Sequence, residues 1–305
     1  MRELEQRVNC SVVILTRDSA RTLKKCMDAV MFENPSEIIA VDRRSTDSTI
    51  AILRRYGVRI LVDNIGSLGF SRQLGAIAAR NDYVAFVDSD TVLTPGCIPA
   101  MIHDIKSNGW VGAQATIRSA EDVSYWQRME RDRSAQFYRT RDRSAQFYRT
   151  GEPRTSFIGT SGETTSFIGT SVTVFKRKIL LSCPFDPMMR ESYEDTDINR
   201  RLIRKGYRLG VSSDAIAYHY DRREFSAFVK QRINRGIGAV RMAMKYHERW
   251  QLLSPLIIPF SLTIRNLASS RMKYVPFWTA DGVARFIGIL LGISKVKREN
   301  NERQC

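Results

Sequence analysis

The chain has 305 residues, 43% of them hydrophobic, and carries 48 Lys/Arg against 32 Asp/Glu for a formal net charge of +16. That is enough apolar material for one large domain, or one domain with an appended segment, and it excludes an intrinsically disordered chain. The positive surplus calls for an anionic partner: nucleic acid, an anionic membrane surface or a phosphorylated substrate.

The first third of the sequence alternates between two kinds of segment. "SVVIL" (11–15) predicts a strand, and the helical pattern after it puts Leu23, Cys26, Met27 and Val30 on one face. "EIIAV" (37–41), a helix through Ile50 and Leu53, "VRILV" (58–62), a helix over 70–80 and "YVAFV" (83–87) follow. Short continuous apolar strands separated by helices predict an α/β fold with a mostly parallel sheet covered on both faces. Ligands bind such sheets beyond the carboxyl ends of the strands, and Asp42, Asp88 and Asp90 all fall there.

Three stretches carry chemistry. In "VDRRSTDST" (41–49), Asp42 ends a strand, and Ser45, Thr46 and Asp47 supply capping groups for the next helix. Taken alone, this is a capped turn of the kind any α/β protein has. "DSD" (88–90) sets two carboxylates one residue apart, the hard oxygen chemistry that Mg²⁺ or Mn²⁺ takes together with substrate phosphates. In "ESYEDTDINRRLIRKGYRLG" (191–210), Glu194, Asp195 and Asp197 open an amphipathic helix bearing Ile198, Leu202 and Ile203. The helix dipole accounts for acids in a first turn, but three in four positions exceed that need, and one facing a cleft could deprotonate an acceptor hydroxyl.

"RDRSAQFYRT" occurs twice in succession over 131–150, and "TSFIGTS" recurs at 155–161 and 165–171. The ten-residue offset is too short for a solenoid, so 131–171 is expected to hold a duplicated, looped insertion, with 165–171 the structural copy because it runs into "VTVFKRKIL". From 221 onward, 16 Lys/Arg face 6 Asp/Glu. A basic helical stretch (225–249) leads to "LLSPLIIPFSLTI" (252–264) and "FIGILLGI" (286–293), both expected to be too short to span a bilayer, with Pro255 and Pro259 breaking the first. Such segments fit peripheral contact with an anionic membrane, or else packing on the catalytic domain or a dimer contact. The chain thus divides at about 220 into a sheet domain and a basic helical segment. "MRELEQRVNC" holds no apolar core of a signal peptide, and Cys10, Cys26, Cys97, Cys183 and Cys305 are scattered without a C-x-x-C pair, which points to a reducing, cytoplasmic setting.

Six motifs in order, "SVVILTRDSARTLKKCMDAV", "EIIAVDRRSTDST", "GFSRQLGAIAARNDYVAFVDSD", "FIGTSVTVFKRKIL", "CPFD" and "YEDTDINRRLIRKGYRLG", resemble the family-2 glycosyltransferases, inverting enzymes of the GT-A fold, over roughly residues 9 to 220. The resemblance implies a nucleotide-diphosphate sugar donor, a UDP-sugar, with Mg²⁺ or Mn²⁺. It implies Thr16 and Asp42 at the base and ribose, Arg72 at the nucleotide, and Asp88 at the ribose or a metal-bound water. It further implies Asp90 as the main metal ligand, Asp195 as general base, Glu194 shaping the acceptor site, and Gly169 and Thr170 lining the donor-sugar and acceptor pocket. His219 stands where some relatives keep a histidine near the metal or diphosphate; a buried, hydrogen-bonded histidine is its structural alternative. Arg43 and Arg44 replace the usual acid and glycine of "VDDGSTD", and Gln73 replaces the common asparagine after Arg72. The acceptor expected from the basic segment is a lipid-linked glycan or polyprenyl phosphate in cell-envelope or glycan biosynthesis. Two rivals are weaker: a nucleotidyltransferase would need a Gly-rich first loop, which "TRDSARTLKK" lacks, and a nucleic-acid-binding protein would interleave aromatics with its basic residues.

Overall fold

The computed structural model describes residues 7–120, 124–130, 164–165, 167–220, 224–248, 250–269 and 271–304, with the side chains of 251, 254–256, 300 and 302–304 left out. Both "RDRSAQFYRT" copies and the first "TSFIGTS" lie outside the described residues. The chain divides into two compact units: Met1–Glu121 with Thr155–Arg190 and Glu194–Asp221, and Asp122–Arg154 with Glu191–Tyr193 and Arg222–Cys305.

The first unit is built on one sheet. Its strands are β1 (Val8–Thr16), β2 (Pro35–Asp42), β3 (Arg59–Val62), β4 (Tyr83–Asp88), β5 (Thr91–Leu93), β6 (Gly112–Ser119), β7 (Thr164–Thr165), β8 (Val172–Lys176) and β9 (Leu209–His219). They run in the order β3-β2-β1-β4-β8-β6-β9-β5, with β7 also on β9. The four strands read from the sequence, β3-β2-β1-β4, are all parallel. Beyond them β8, β5 and β7 run antiparallel to their neighbours, while β6 and β9 pair in parallel.

The helices are α1 (Ala20–Phe32), α2 (Thr49–Arg55), α3 (Leu68–Ala78), α4 (Cys97–Ser107), α6 (Arg177–Ser182) and α7 (Glu194–Arg204), with α5 (125–130) in the second unit. Alternation along β1 sends Val12 and Ile14 to one face and Val13 and Leu15 to the other. The first face meets Leu23, Cys26, Met27 and Val30 of α1, all fully buried, and Ile98 to Ile105 of α4. The second meets Ala76 of α3, Ile179 and Leu180 of α6, and Ile198 and Leu202 of α7. Ile203, expected on that inner face, is 37% exposed, because the buried stripe of α7 passes through Ile198, Asn199 and Leu202 instead.

The second unit is helical: α5, α8 (Phe225–Tyr246), α9 (Trp250–Ala268), a short 3₁₀ turn (Met272–Tyr274) and α10 (Val275–Gln304). Gly236 and Gly288 let α8 and α10 touch, since a Cβ on Gly288 would stand 2.2 Å from the Ile233 carbonyl oxygen. Two expectations fail here. Helix α9 runs unbroken through Pro255 and Pro259, each of which costs one backbone hydrogen bond without ending the helix. Met272–Glu299 is, by length and composition, long and apolar enough to cross a bilayer; half of its most apolar window is buried within the protein. Counting consecutive apolar residues missed it, because polar Thr279, Asp281 and Arg285 interrupt the run. The basic count of α8 also overstates its cationic surface. Arg232 pairs with Glu130 and Asp281, and Arg241 with Glu191 and Glu299, with both guanidinium groups buried.

Candidate active site

Strand register assembles the site. Thr16 stands opposite Asp42 across β1 and β2, and Leu15 opposite Asp88 across β1 and β4, so the carboxyl ends of three parallel strands finish level. The Asp42 carboxylate is almost fully buried and accepts from Thr16 Oγ1 (2.8 Å), Ser45 N (2.8 Å) and Ser45 Oγ (2.6 Å). These bonds close the turn after β2 and do not cap α2: its N-cap, Ser48, makes no side-chain capping bond, and of the three residues expected to cap it only Asp47 reaches the helix, accepting from Thr49 N at 3.0 Å. The turns after β1 and β2 are tied by Asp18 Oδ1, which accepts from Thr46 N, and by Asp47 Oδ2, which accepts from Ala20 N.

Asp88 and Asp90 separate, as their neighbours differ. Asp88 Oδ1 lies 3.2 Å from Arg72 Nη2, and Arg72 Nε lies 3.4 Å from Glu194 Oε1. Thr170 Oγ1 donates to the same Glu194 oxygen at 3.3 Å. Arg72, 3% exposed, thus joins the D-x-D turn to the first turn of α7, and its Nη1 is buried with no hydrogen-bond partner among the described residues. Burial pushes the Asp88 carboxyl up, and Arg72 pulls it back. Asp90 follows the end of β4, and β5 then pairs with β9 so that Thr91 faces His219. That pairing brings His219 Nε2 to 3.3 Å from Asp90 Oδ1, with both side chains about a quarter exposed. His219 is therefore not the enclosed core histidine that was its structural alternative.

Helix α7 carries the third group. Asp195 is pushed up from 3.8 to about 7, chiefly by burial and next by the adjacent Glu194 carboxylate, while the Thr196 amide works the other way. One Asp195 oxygen accepts from Thr196 N (2.6 Å) and Thr196 Oγ1 (3.2 Å); the other takes no hydrogen bond from the described residues. Asp197 faces elsewhere: it is fully buried and paired with Arg201 at 2.7 Å, an i,i+4 bridge within the helix.

Several residues that position this set went unread in the sequence. Asn199 accepts from Ile168 N and donates to Ile168 O and Asp195 O, fastening α7 to the segment before β8. Gln114 Oε1 accepts from Gly169 N at 2.6 Å, which fixes Gly169 beside Thr170. Ser89, between the two aspartates, donates to Ser19 Oγ at 2.8 Å. Gln73, noted in the sequence only as replacing a common asparagine, accepts from Phe185 N and donates to Leu180 O, so it holds the chain ahead of α7. A side chain that bonds to distant backbone leaves no spacing signal in the sequence.

Comparison with known proteins bears on the family and the fold. The model of glycosyl transferase family 2 matches residues 11–178. The chain is 33% identical over 91 residues to the poly(ribitol-phosphate) beta-glucosyltransferase of Bacillus spizizenii, a match covering 26% of this chain and 14% of that protein. It is 28% identical over 67 residues to an uncharacterized glycosyltransferase of Mycobacterium tuberculosis, covering 22% and 31%. The matched stretch thus spans under a third of either relative's own length. Among solved structures, the mannosyltransferase PcManGT of Pyrobaculum calidifontis, with GDP-Man and Mn²⁺, aligns at a TM-score of 0.56 and 14% identity over 96% of this chain and 76% of that one. TarS 1-349 of S. aureus, with UDP-GlcNAc, aligns at 0.53 and 14% over 94% and 92%. The glucosyl-3-phosphoglycerate synthase of M. tuberculosis, with Mn²⁺, UDP and phosphoglyceric acid, aligns at 0.51 and 16% over 77% of each chain. With a family model matched over more than half of its residues and a sheet laid out as in GT-A enzymes, the chain belongs to glycosyl transferase family 2.

Proposed function

We propose that the protein transfers a sugar from a nucleotide-diphosphate sugar, a UDP-sugar, to an acceptor hydroxyl with inversion at the anomeric carbon. The observation that carries this reading is Asp195, which has one unbonded oxygen, a raised affinity for a proton, and a tie through Glu194 and Arg72 to Asp88. Asp195 takes the acceptor proton as the acceptor oxygen attacks; the anomeric carbon–oxygen bond to the diphosphate breaks on the opposite face. Glu194 is held by Arg72 and Thr170 and shapes the acceptor side, with Gly169 beside it. Thr16 and Asp42 meet the base and ribose, and Arg72 Nη1, buried and unsatisfied, suits an anionic group of the donor.

The solved neighbours with UDP, UDP-GlcNAc or GDP-Man support the donor class. Among the described residues no three His, Cys, Asp or Glu side chains gather closely enough to hold a metal ion by themselves, but Asp90 and His219, 3.3 Å apart at a partly open edge, offer a carboxylate and an imidazole that a divalent cation could take together with the donor's phosphates. Mg²⁺ or Mn²⁺ held there would offset the charge of the departing diphosphate. A base of this strength favours a hydroxyl acceptor over a phosphate, which is already ionised near neutral pH and needs no base. A lipid-linked glycan, met at the cytoplasmic face of an anionic membrane in cell-envelope biosynthesis, suits the ten-charge surplus of residues 221–305 and the buried free thiols of Cys10, Cys26, Cys97 and Cys183. The test is a thermal-shift panel of nucleotide-sugars with and without Mn²⁺. Stabilisation by a UDP-sugar that requires Mn²⁺ supports the reading. Tight, salt-sensitive oligonucleotide binding with no nucleotide-sugar response would overturn it.

A further inference from the structure

On the second unit, the outward side of α9 carries Trp250, Leu253, Ile257, Phe260, Ile264 and Leu267, spaced alternately three and four residues apart and each between 41% and 67% exposed. Helix α10 adds Val283, Phe286, Ile287, Leu290 and Leu291, each between 41% and 53% exposed. The two stripes lie alongside one another where the helices meet: a Cβ on Gly282 would stand 3.1 Å from Pro259 Cβ and 3.5 Å from Phe260 Cε2. Together they expose on the order of 1,000 Å² of large apolar side chains, above the few hundred Å² of a monomer's usual largest patch.

The charges around this face are mostly positive, although Lys295 pairs with Glu191 and Glu299 follows Arg298. Between Trp250 and Arg298 the chain holds seven Lys/Arg and one acid, Asp281. Asp281 is fully buried between Arg232 and Arg285. Arg265, Arg271 and Lys273 are exposed at one end of the α9–α10 hairpin, and Lys295, Lys297 and Arg298 near the end of α10. From these observations we propose that the α9–α10 face is the surface by which the protein lies on an anionic lipid bilayer, its apolar stripes in the acyl boundary and its basic ends at the headgroups. The proposal takes up the membrane position suggested above but stands on the helices alone, independent of the sugar chemistry.

Two other occupants fit less well. A second copy seated face to face would bring two basic rims together. A spanning α10 would carry the Asp281–Arg285 pair into hydrocarbon and take from Arg232 one of its two acidic partners.

The test is sedimentation of the full chain with vesicles of phosphatidylcholine alone or mixed with phosphatidylglycerol. Binding should require the anionic lipid, weaken with added salt, and fall by about tenfold or more in the Ile257→Glu/Ile264→Glu variant. Stabilisation by UDP with Mn²⁺ should match the parent in that variant, so a failed lipid test and a failed donor test are read separately. As a second measurement on the parent, brominated lipid should quench the tryptophan emission, and that quenching should largely disappear in Trp250→Phe. Equal partitioning of parent and charge variant would overturn the proposal. So would a concentration-dependent dimer that the variant dissolves without any vesicle binding, which would give this face to a second copy.

Discussion

The pH dependence of transfer follows from where Asp195 sits. A free aspartate would put the acid limb of a rate profile near 4, but this one is pushed up to about 7 by burial and by Glu194. The ionised base should then be lost below neutrality, and kcat/KM should fall by about tenfold per pH unit beneath 7. Glu194→Gln removes the second cause of the shift while burial remains, so the limb should move to lower pH even though maximal activity drops. Stability changes in the opposite sense to activity. The neutral Asp195 that the fold prefers is fully present below the unfolded value of 3.8 and is lost as pH rises through about 7. Asp195→Asn should therefore gain on the parent as pH rises, by about 1 to 2 kcal/mol above neutrality after discounting for partial exposure, or roughly 2–6 °C in Tm. The assay is initial rate against pH for the parent and Glu194→Gln, with scanning calorimetry of Asp195→Asn at acid and alkaline pH. An acid limb below pH 5 in the parent, or an Asn variant that loses stability at alkaline pH, would rule out Asp195 as a base raised by burial.

Other outcomes follow from the same geometry. Asp90→Ala should weaken Mn²⁺-dependent binding of UDP severely and His219→Gln more mildly, because the histidine, 3.3 Å from Asp90, would be the second donor; titration calorimetry with and without Mn²⁺ measures both. Arg72→Met leaves Glu194 buried without its cation and should cost about 3 kcal/mol in denaturant unfolding, with loss of donor binding. Gly69→Ala would put a Cβ 2.1 Å from the Asp186 carbonyl oxygen and should cost about 2 kcal/mol, shifting the chain that leads into α7 and lowering kcat. Thr170→Val removes one of the groups that hold Glu194 and should lower activity with little change in donor affinity, read from kcat against KM.

Much of the first unit was legible because burial there leaves a periodic trace. Strands β1 to β4 coincide with continuous apolar runs, and Leu23, Cys26, Met27 and Val30 line up at helical spacing because one face of α1 meets the sheet. The acids at strand ends could be placed on one edge because parallel strands share a direction. Their partners could not be foreseen. That Arg72 bridges Asp88 and Glu194 depends on α3 and α7 covering the same face of the sheet, and the Asp90–His219 approach depends on β5 turning back onto β9. The C-terminal helices misled for the opposite reason. Proline rules describe an isolated helix and α9 is packed against its neighbours, while Arg232 and Arg241 look like surface charge until their acidic partners are seen.

In the proposed mechanism Asp195 and Asp90 divide the chemistry, one as base and the other at the donor's metal. Titration calorimetry of UDP with Mn²⁺, paired with turnover of a UDP-sugar, on the parent, Asp195→Asn and Asp90→Ala tests it most directly. Asp195→Asn should bind like the parent and not turn over, while Asp90→Ala should lose the Mn²⁺-dependent binding. Near-full turnover by Asp195→Asn, or UDP binding indifferent to both Mn²⁺ and Asp90, would contradict it.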